Sequence, residues 1–225
     1  VGLIGPNGAG KTTVFNLITG FLRPTKGRVI FESKNITAKK PHYIAEKGMV
    51  RTFQATNIFP DLTVLENIVL ACHLESKIGF WETALHTRSS RFKEGDILRR
   101  SKTILEMVGI EAMADITAGT IAHGHKKLLG IAIALAAEPK LLLLDEPLTG
   151  MNAEEVSKTM GVINRLWQSG ITVLLIEHNM RAAMSLCQRI VVLNFGKKIA
   201  EGSPEEIREN KEVIQAYLGA GEYAA

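Results

Sequence analysis

The stretch that most limits what this chain can fold into is Gly5-Pro6-Asn7-Gly8-Ala9-Gly10-Lys11-Thr12-Thr13. The apolar run Val1-Gly2-Leu3-Ile4 precedes it. Val14, Leu17, Ile18 and Phe21 follow at the spacing of one helix face, which predicts a helix from Thr12 to Leu22. A strand, a glycine-rich turn and a helix in that order fit G-x-x-x-x-G-K-[ST], a Walker A phosphate-binding loop. Glycines bare successive backbone N–H groups toward an anion, and the helix that follows points its positive end at it. Lys11 can reach the outer phosphates of a triphosphate, and the Thr12 hydroxyl can ligate Mg²⁺, a hard cation that prefers oxygen. A purely structural turn has no use for that lysine and threonine.

Such a loop demands a parallel sheet, and the rest of the chain offers one. Leu141 to Leu144, Ile171 to Ile176 and Ile190 to Leu193 are unbroken apolar runs, as in strands buried on both faces. Helical patterns from Ala153 to Gln168 and from Met180 to Leu186 alternate with them. Earlier strands are expected over Arg28 to Phe31 and Gly48 to Phe53, with a short helix from Pro41 to Lys47 between them. From Thr63 the pattern turns helical: Leu65, Ile68, Val69 and Cys72 form one stripe, with Thr63 as its cap. A short helix near Phe80 to Leu85 and another from Asp96 to Val108 continue a helical insertion over residues 63–137. Lys197 to Ala200 reads as an edge strand, followed by two short helices in a tail over 203–225. The fold class is therefore α/β. A P-loop NTPase core with a mostly parallel sheet occupies 1–62 and 138–202 and carries an inserted helical subdomain.

Composition narrows the setting. Two cysteines, Cys72 and Cys187, are too few for a disulfide framework and lie in apolar helical stretches, so both read as buried thiols in a reducing compartment. A net charge of +4 commits the chain neither to nucleic acid nor to a membrane surface. The longest apolar stretch, Leu128 to Ala137, is too short to span a bilayer. If a membrane is involved, another polypeptide supplies the span.

The second chemical signal is Leu141-Leu142-Leu143-Leu144-Asp145-Glu146-Pro147. An apolar strand carries two adjacent carboxylates to its end. Asp145 can hold Mg²⁺, through water, while Glu146 points elsewhere on the pleat and can activate a water against a γ-phosphate. A carboxylate at that point explains hydrolysis of a triphosphate better than its storage.

Together with Gln54, a glycine-centred segment at Gly124 and His178, these motifs stand in the order seen in ABC-transporter ATP-binding subunits, which this chain resembles over nearly its whole length. Four runs look more narrowly like the high-affinity branched-chain amino-acid transport ATPases. They are Arg51-Thr52-Phe53-Gln54, Leu62-Thr63-Val64-Leu65-Glu66-Asn67, Gly150-Met151-Asn152 and the ending Val213-Ile214-Gln215-Ala216-Tyr217-Leu218-Gly219. The resemblance implies ATP and Mg²⁺ as ligands, with Thr12, Gln54 and Asp145 at the metal. It implies Glu146 as the catalytic base and His178 as the switch histidine on the γ-phosphate. Gln54 would sense the attacking water and the membrane partner; its amide both donates and accepts. Residues 148–152 would cross a dimer interface in which each site joins one chain's phosphate loop to the other's Gly124. Asn152 stands where many relatives have aspartate.

The implied partners are a second ATP-binding subunit (a copy or a paralogue), transmembrane permease subunits and, indirectly, an extracytoplasmic solute-binding protein, with no role for nucleic acid. The implied location is peripheral, on the cytoplasmic face of the inner membrane. An exporter ATPase such as that of lipopolysaccharide transport shares much of the pattern; the Arg51 to Gln54 run favours amino acids.

The signature segment departs from the family's Leu-Ser-Gly-Gly-Gln: it reads Ile121-Ala122-His123-Gly124-His125. Gly124 keeps a backbone N–H for a partner's γ-phosphate, but Ala122 has no hydroxyl. A hydrogen bond to a charged group is worth roughly 1.5–3 kcal/mol, so a slow ATPase is expected, with His125 as a substitute donor. His123 and His125 lack a third ligand at a spacing that would build a metal site. The phosphate loop begins at the fifth residue with no methionine before it. By the same resemblance, the expectation is a truncated N-terminal β-subdomain that would carry the aromatic residue stacking on adenine, and weakened ATP binding.

Overall fold

The computed structural model describes residues 1–52, 58–75 and 88–218. The chain divides into two compact units.

The first unit comprises Val1–Gln54, Lys140–Thr149 and Trp167–Ala225. Its centre is a six-stranded sheet of β1 (Gly2–Ile4), β4 (Met49–Arg51), β5 (Leu141–Asp145), β6 (Thr172–Ile176), β7 (Ile190–Asn194) and β8 (Lys197–Gly202). The spatial order is β4-β5-β6-β1-β7-β8. All pairs are parallel except β7 with β8, which closes the edge antiparallel and slips register between Val192 and Leu193. The apolar runs form the interior strands, as continuous hydrophobicity requires of strands covered on both faces. Leu142, Leu143, Leu144, Ile176, Ile190 and Val192 are all buried. β4 covers less of its expected stretch: the turn at Gly48 delays its start to Met49.

Helix α1 (Lys11–Ile18) follows β1 and drives Phe15 into a core with Leu3, Ile44, Met49, Leu143, Ile176 and Leu193. It is shorter than its apolar pattern: Thr19 and Gly20 end it, and Phe21 and Leu22 are exposed. The expected strand at Arg28 to Phe31 shrinks to β2 (Ile30–Phe31), paired antiparallel with β3 (Lys34–Asn35) through a turn in which Glu32 and Ser33 take positive φ. Helix α2 (Pro41–Glu46) precedes β4. The unit is completed by α7 (Met180–Leu186) and, in the tail, α8 (Pro204–Glu209) and α9 (Lys211–Leu218). A Ser203–Glu206 capping box starts α8.

The second unit comprises Ala55–Pro139 and Gly150–Leu166. Helices α3 (Val64–Glu75), α4 (Arg88–Val108) and α5 (His123–Leu135) pack against one another, burying Ile68, Cys72, Ile97, Leu105, Val108 and Leu129. Thr63 and Glu66 form a reciprocal cap at the start of α3: Glu66 N donates to Thr63 Oγ1 at 3.1 Å and Thr63 N to Glu66 Oε2 at 2.8 Å. Buried Asn67 then uses both ends of its amide on Phe59, accepting from its N at 2.8 Å and donating to its O at 3.0 Å. The last member is most of α6 (Ala153–Gln168). Residues 150–166 therefore belong with the helical unit, whereas the strand–helix alternation groups them with the α/β core. The tie is local contact with the start of α5, described below. No helix among the described residues is long and apolar enough to cross a membrane. The helix expected near Phe80 to Leu85 lies outside the described residues.

Candidate active site

The phosphate loop leaves β1 at Gly5, where φ is +152° and an added Cβ would sit 2.2 Å from the carbonyl oxygen of Leu193. Only glycine fits this approach. The loop is pinned at two further points: Ala9 N donates to Pro6 O at 3.1 Å, and Gly196 N, in the β7–β8 turn, donates to Ala9 O at 2.9 Å. Gly10, in the left-handed region, hands the chain to α1. Lys11 is buried and lies back along the loop, its Nζ donating to Gly5 O at 2.6 Å and Pro6 O at 3.0 Å. Asn7 to Thr13 line an open cavity of about 250 Å³, and Glu146 and His178 complete its wall.

Glu146 and His178 arrive from neighbouring strand ends. β5 runs parallel to β6 with Asp145 opposite Ile176. Glu146 N then donates to Ile176 O at 3.0 Å, and the residue turns out of the strand with φ +50°. A non-glycine residue held there is strained, a condition that clusters at functional sites. Its Oε1 is hydrogen-bonded to His178 Nε2. A carboxylate held by an imidazole at the lip of a phosphate-sized cavity can take a proton from a water while the imidazole fixes its direction.

Below them lies Glu177, 2% exposed. Burial pushes its carboxyl above the ordinary value, the backbone N–H groups of Leu148, Asn179 and His178 pull it back, and the charge of Glu146 adds to the rise. Leu148 N donates to its Oε1 at 3.0 Å, so one carboxylate ties the segment after Glu146 to the segment that carries His178. Asn179 caps α7 by accepting from Ala182 N at 3.1 Å.

Asp145 is buried and ion-paired: Arg51 Nη2 meets its Oδ2 at 2.6 Å. Its other oxygen, Oδ1, is buried with no hydrogen-bond partner. The orphaned carboxylate oxygen at this strand end, and the hydroxyl of Thr12 in the first turn of α1 at the cavity wall, are hard oxygens of the kind Mg²⁺ takes. Gln54, expected as a further ligand, lies outside the described residues. Among the described residues no three His, Cys, Asp or Glu side chains cluster as a metal site.

In the second unit, Ala122 is the N-cap of α5 and supplies no side-chain cap, while Gly124 is buried in the first turn. A Cβ on Gly124 would lie 2.6 Å from Glu155 Oε1. Glu155 is itself fixed by a reciprocal cap: Asn152 N donates to its Oε2 and Glu155 N to Asn152 Oδ1, both at 3.0 Å. His123 lies against Gly150, 3.6 Å from where its Cβ would be. The start of α5 and the start of α6 are thus locked together by two glycine contacts.

The structure brings the phosphate loop, Glu146 and His178 around one cavity, with Asp145 at the end of the same strand. Sequence reasoning passed over the roles of Arg51, Asn16, Glu177 and Glu155. Arg51 and Glu177 each sit beside a flagged motif, and a charged residue next to an apolar strand end was the available signal.

Comparison with known proteins agrees with this geometry. Residues 1–149 match the ABC transporter family, and residues 197–223 match the branched-chain amino acid ATP-binding cassette transporter family. The high-affinity branched-chain amino acid transport ATP-binding protein BraF of Pseudomonas aeruginosa is 42% identical over 97% of this chain and 86% of its own length. The lipopolysaccharide export system ATP-binding protein LptB of Haemophilus influenzae is 33% identical over 97% of this chain and 85% of its own. Among solved structures, the ADP conformation of an ATP-binding cassette of an ABC transporter superposes with a TM-score of 0.83 at 33% identity, covering 97% of this chain and 87% of the other. The chain belongs to the ABC transporter ATPases, as a homologue of the ATP-binding proteins of branched-chain amino-acid transport.

Proposed function

We propose that this chain hydrolyses ATP at the cytoplasmic face of a membrane and drives import of branched-chain amino acids through permease subunits. The observation that carries the proposal is the shared cavity of Asn7 to Thr13, Glu146 and His178. The loop N–H groups and Lys11 hold the phosphates of ATP, once Lys11 exchanges the Gly5 and Pro6 carbonyls for phosphate oxygens. Glu146 accepts the proton of the attacking water, and His178 orients Glu146 and donates to the γ-phosphate. Mg²⁺, held by Thr12, Asp145 and Gln54, would neutralise charge on the outer phosphates. Residues 1–62 and 138–202, apart from the 150–166 segment that packs with the helical unit, form the nucleotide-binding part, 63–137 carries the signature segment, and 203–225 forms the tail. Two such subunits pair, and Gly124 of each faces the other's ATP through the N–H groups that open α5.

The 42% identity to BraF, against 33% to LptB, together with the match over 197–223, supports amino acids as the cargo. The test uses the chain copurified with its native membrane partners. Glu146→Gln abolishes hydrolysis while ATP-dependent dimerisation persists, and leucine, isoleucine or valine with its binding protein stimulates the wild-type complex. Hydrolysis retained in Glu146→Gln refutes the assigned base, and stimulation by an unrelated solute refutes the cargo.

A further inference from the structure

Arg51 has no part in the chemistry above, yet from β4 it is tied to two other elements of the first unit, β5 and α1. Its Nη2 meets Asp145 Oδ2 at 2.6 Å at the end of β5, and its Nη1 donates to Asn16 Oδ1 at 2.6 Å on the phosphate-loop helix α1. Its guanidinium lies 5.4 Å from the centre of the Phe15 ring. The pair is dry, with side chains 7% and 2% exposed. A charge so withdrawn from water needs its partner, because breaking one half of a buried ion pair leaves the other half uncompensated. Arg51 engages only one oxygen of Asp145 and leaves Oδ1 for another ligand. It therefore does not block a metal at Asp145; it fixes the carboxylate's direction and adds a permanent positive charge beside it.

We propose that Arg51 is a positioning residue, a built-in counter-ion that holds the Asp145 carboxylate at the end of β5 whether or not Mg²⁺ is bound, and so makes the strand end and α1 stable without metal. The inference rests on reading Asp145 as the magnesium residue. Two consequences follow. Stability without divalent cation depends on Arg51 more than stability with Mg²⁺ does, because the metal supplies a second positive charge. By linkage, removing Arg51 tightens Mg²⁺ binding, because the metal then neutralises a charge that has no other partner.

The experiment measures thermal unfolding of wild type, Arg51→Met, Asp145→Asn and the double variant, in EDTA and in saturating ADP with Mg²⁺. Titration of Mg²⁺ against a fluorescent ADP analogue gives its half-saturating concentration. In EDTA, Arg51→Met lowers Tm by about 5–15 °C. The double variant recovers most of that loss, since neither charge remains, and Mg²⁺ with ADP raises Tm more in Arg51→Met than in wild type. Half-saturating Mg²⁺ falls about tenfold in Arg51→Met and stays within about twofold of wild type in Arg51→Lys, which keeps the charge. Equal losses with and without Mg²⁺ overturn the proposal, as would a rise in half-saturating Mg²⁺. If Arg51→Met does not fold, the double variant still does; its failure to fold also overturns the proposal. Additive single losses in EDTA refute the pairing itself. Mg²⁺ dependence unchanged in Asp145→Asn refutes the metal assignment instead, so the two failures are told apart.

Discussion

Gly124→Ala tests how the signature turn is held. The new Cβ would stand 2.6 Å from Glu155 Oε1, 2.8 Å from Cδ and 3.2 Å from Cγ. Carbon contacts settle at about 3.5–4.0 Å, so the carboxyl group must withdraw by roughly an ångström. It cannot do so and keep the 3.0 Å bond that its Oε2 accepts from Asn152 N. Losing a cap of this kind costs about 1 kcal/mol. Against it, alanine is favoured over glycine in a helix by about 0.5–1 kcal/mol, and less in the first turn. The clash also strains Glu155 on its helix, so the lost cap and the strain prevail, and Gly124→Ala destabilises by about 1 kcal/mol. Glu155→Ala loses the same cap and also costs about 1 kcal/mol.

The double variant has no carboxyl group to displace and keeps the alanine's helix preference. Its loss is about 0.5 kcal/mol, not the 2 kcal/mol of simple addition, a coupling of about 1.5 kcal/mol. Urea unfolding of the four proteins at a common slope measures it. Additive losses within about 0.5 kcal/mol, the range expected of independent sites, would refute the contact between the start of α5 and Glu155.

Four further outcomes are expected. Gly5→Ala, whose Cβ would meet Leu193 O at 2.2 Å, eliminates binding of a fluorescent ATP analogue at concentrations that saturate wild type. Ala122→Ser restores a hydroxyl donor where the cap has none, and ATPase turnover rises about tenfold for roughly 1.4 kcal/mol; turnover equal to wild type would show that this hydroxyl is idle. Thr63→Ala breaks the reciprocal cap of α3 and costs about 1 kcal/mol by urea unfolding. Burial holds the folded Glu177 carboxyl above the ordinary glutamate value of 4.5. Its contribution to stability is therefore fully present below pH 4.5 and lost as pH rises through the folded value. Glu177→Gln removes that titration, so above pH 4.5 the wild type loses stability relative to the variant as pH rises; parallel profiles would refute the burial argument.

The parts of the fold visible in sequence were those whose physics is local or periodic. Continuous apolar runs located β5, β6 and β7, and a 3.6-residue period found α6 from Ala153 to Gln168 with both ends correct. The extent of β2 and β4 was overread because runs such as Arg28 to Phe31 carry strand-like residues, while the β2–β3 ladder pairs only Ile30 and Phe31 and the positive-φ turn at Gly48 delays β4. The phosphate loop, Asp145, Glu146 and His178 were readable because each sits at a fixed place on a strand end. Partners more than thirty positions away in sequence were not: Arg51 with Asp145 and Glu155 with Gly124 are made by tertiary contact alone.

Those contacts give the family-specific runs a physical meaning. Arg51, which opens the run ending at Gln54, anchors Asp145 and Asn16. In the run from Leu62 to Asn67, Thr63 and Glu66 cap α3 while Asn67 ties it to Phe59. In Gly150-Met151-Asn152, Gly150 faces His123 and Asn152 caps the helix whose Glu155 faces Gly124. None of these residues is required to touch phosphate. What sets this chain apart from a generic triphosphate-binding fold is therefore a set of braces between neighbouring elements, two of which hold a proposed site residue, Asp145 or Gly124. Substitutions in the braces should change stability and its dependence on ligand before they change the chemical step. An assay restricted to ATP turnover would miss them, and ligand-dependent unfolding would not.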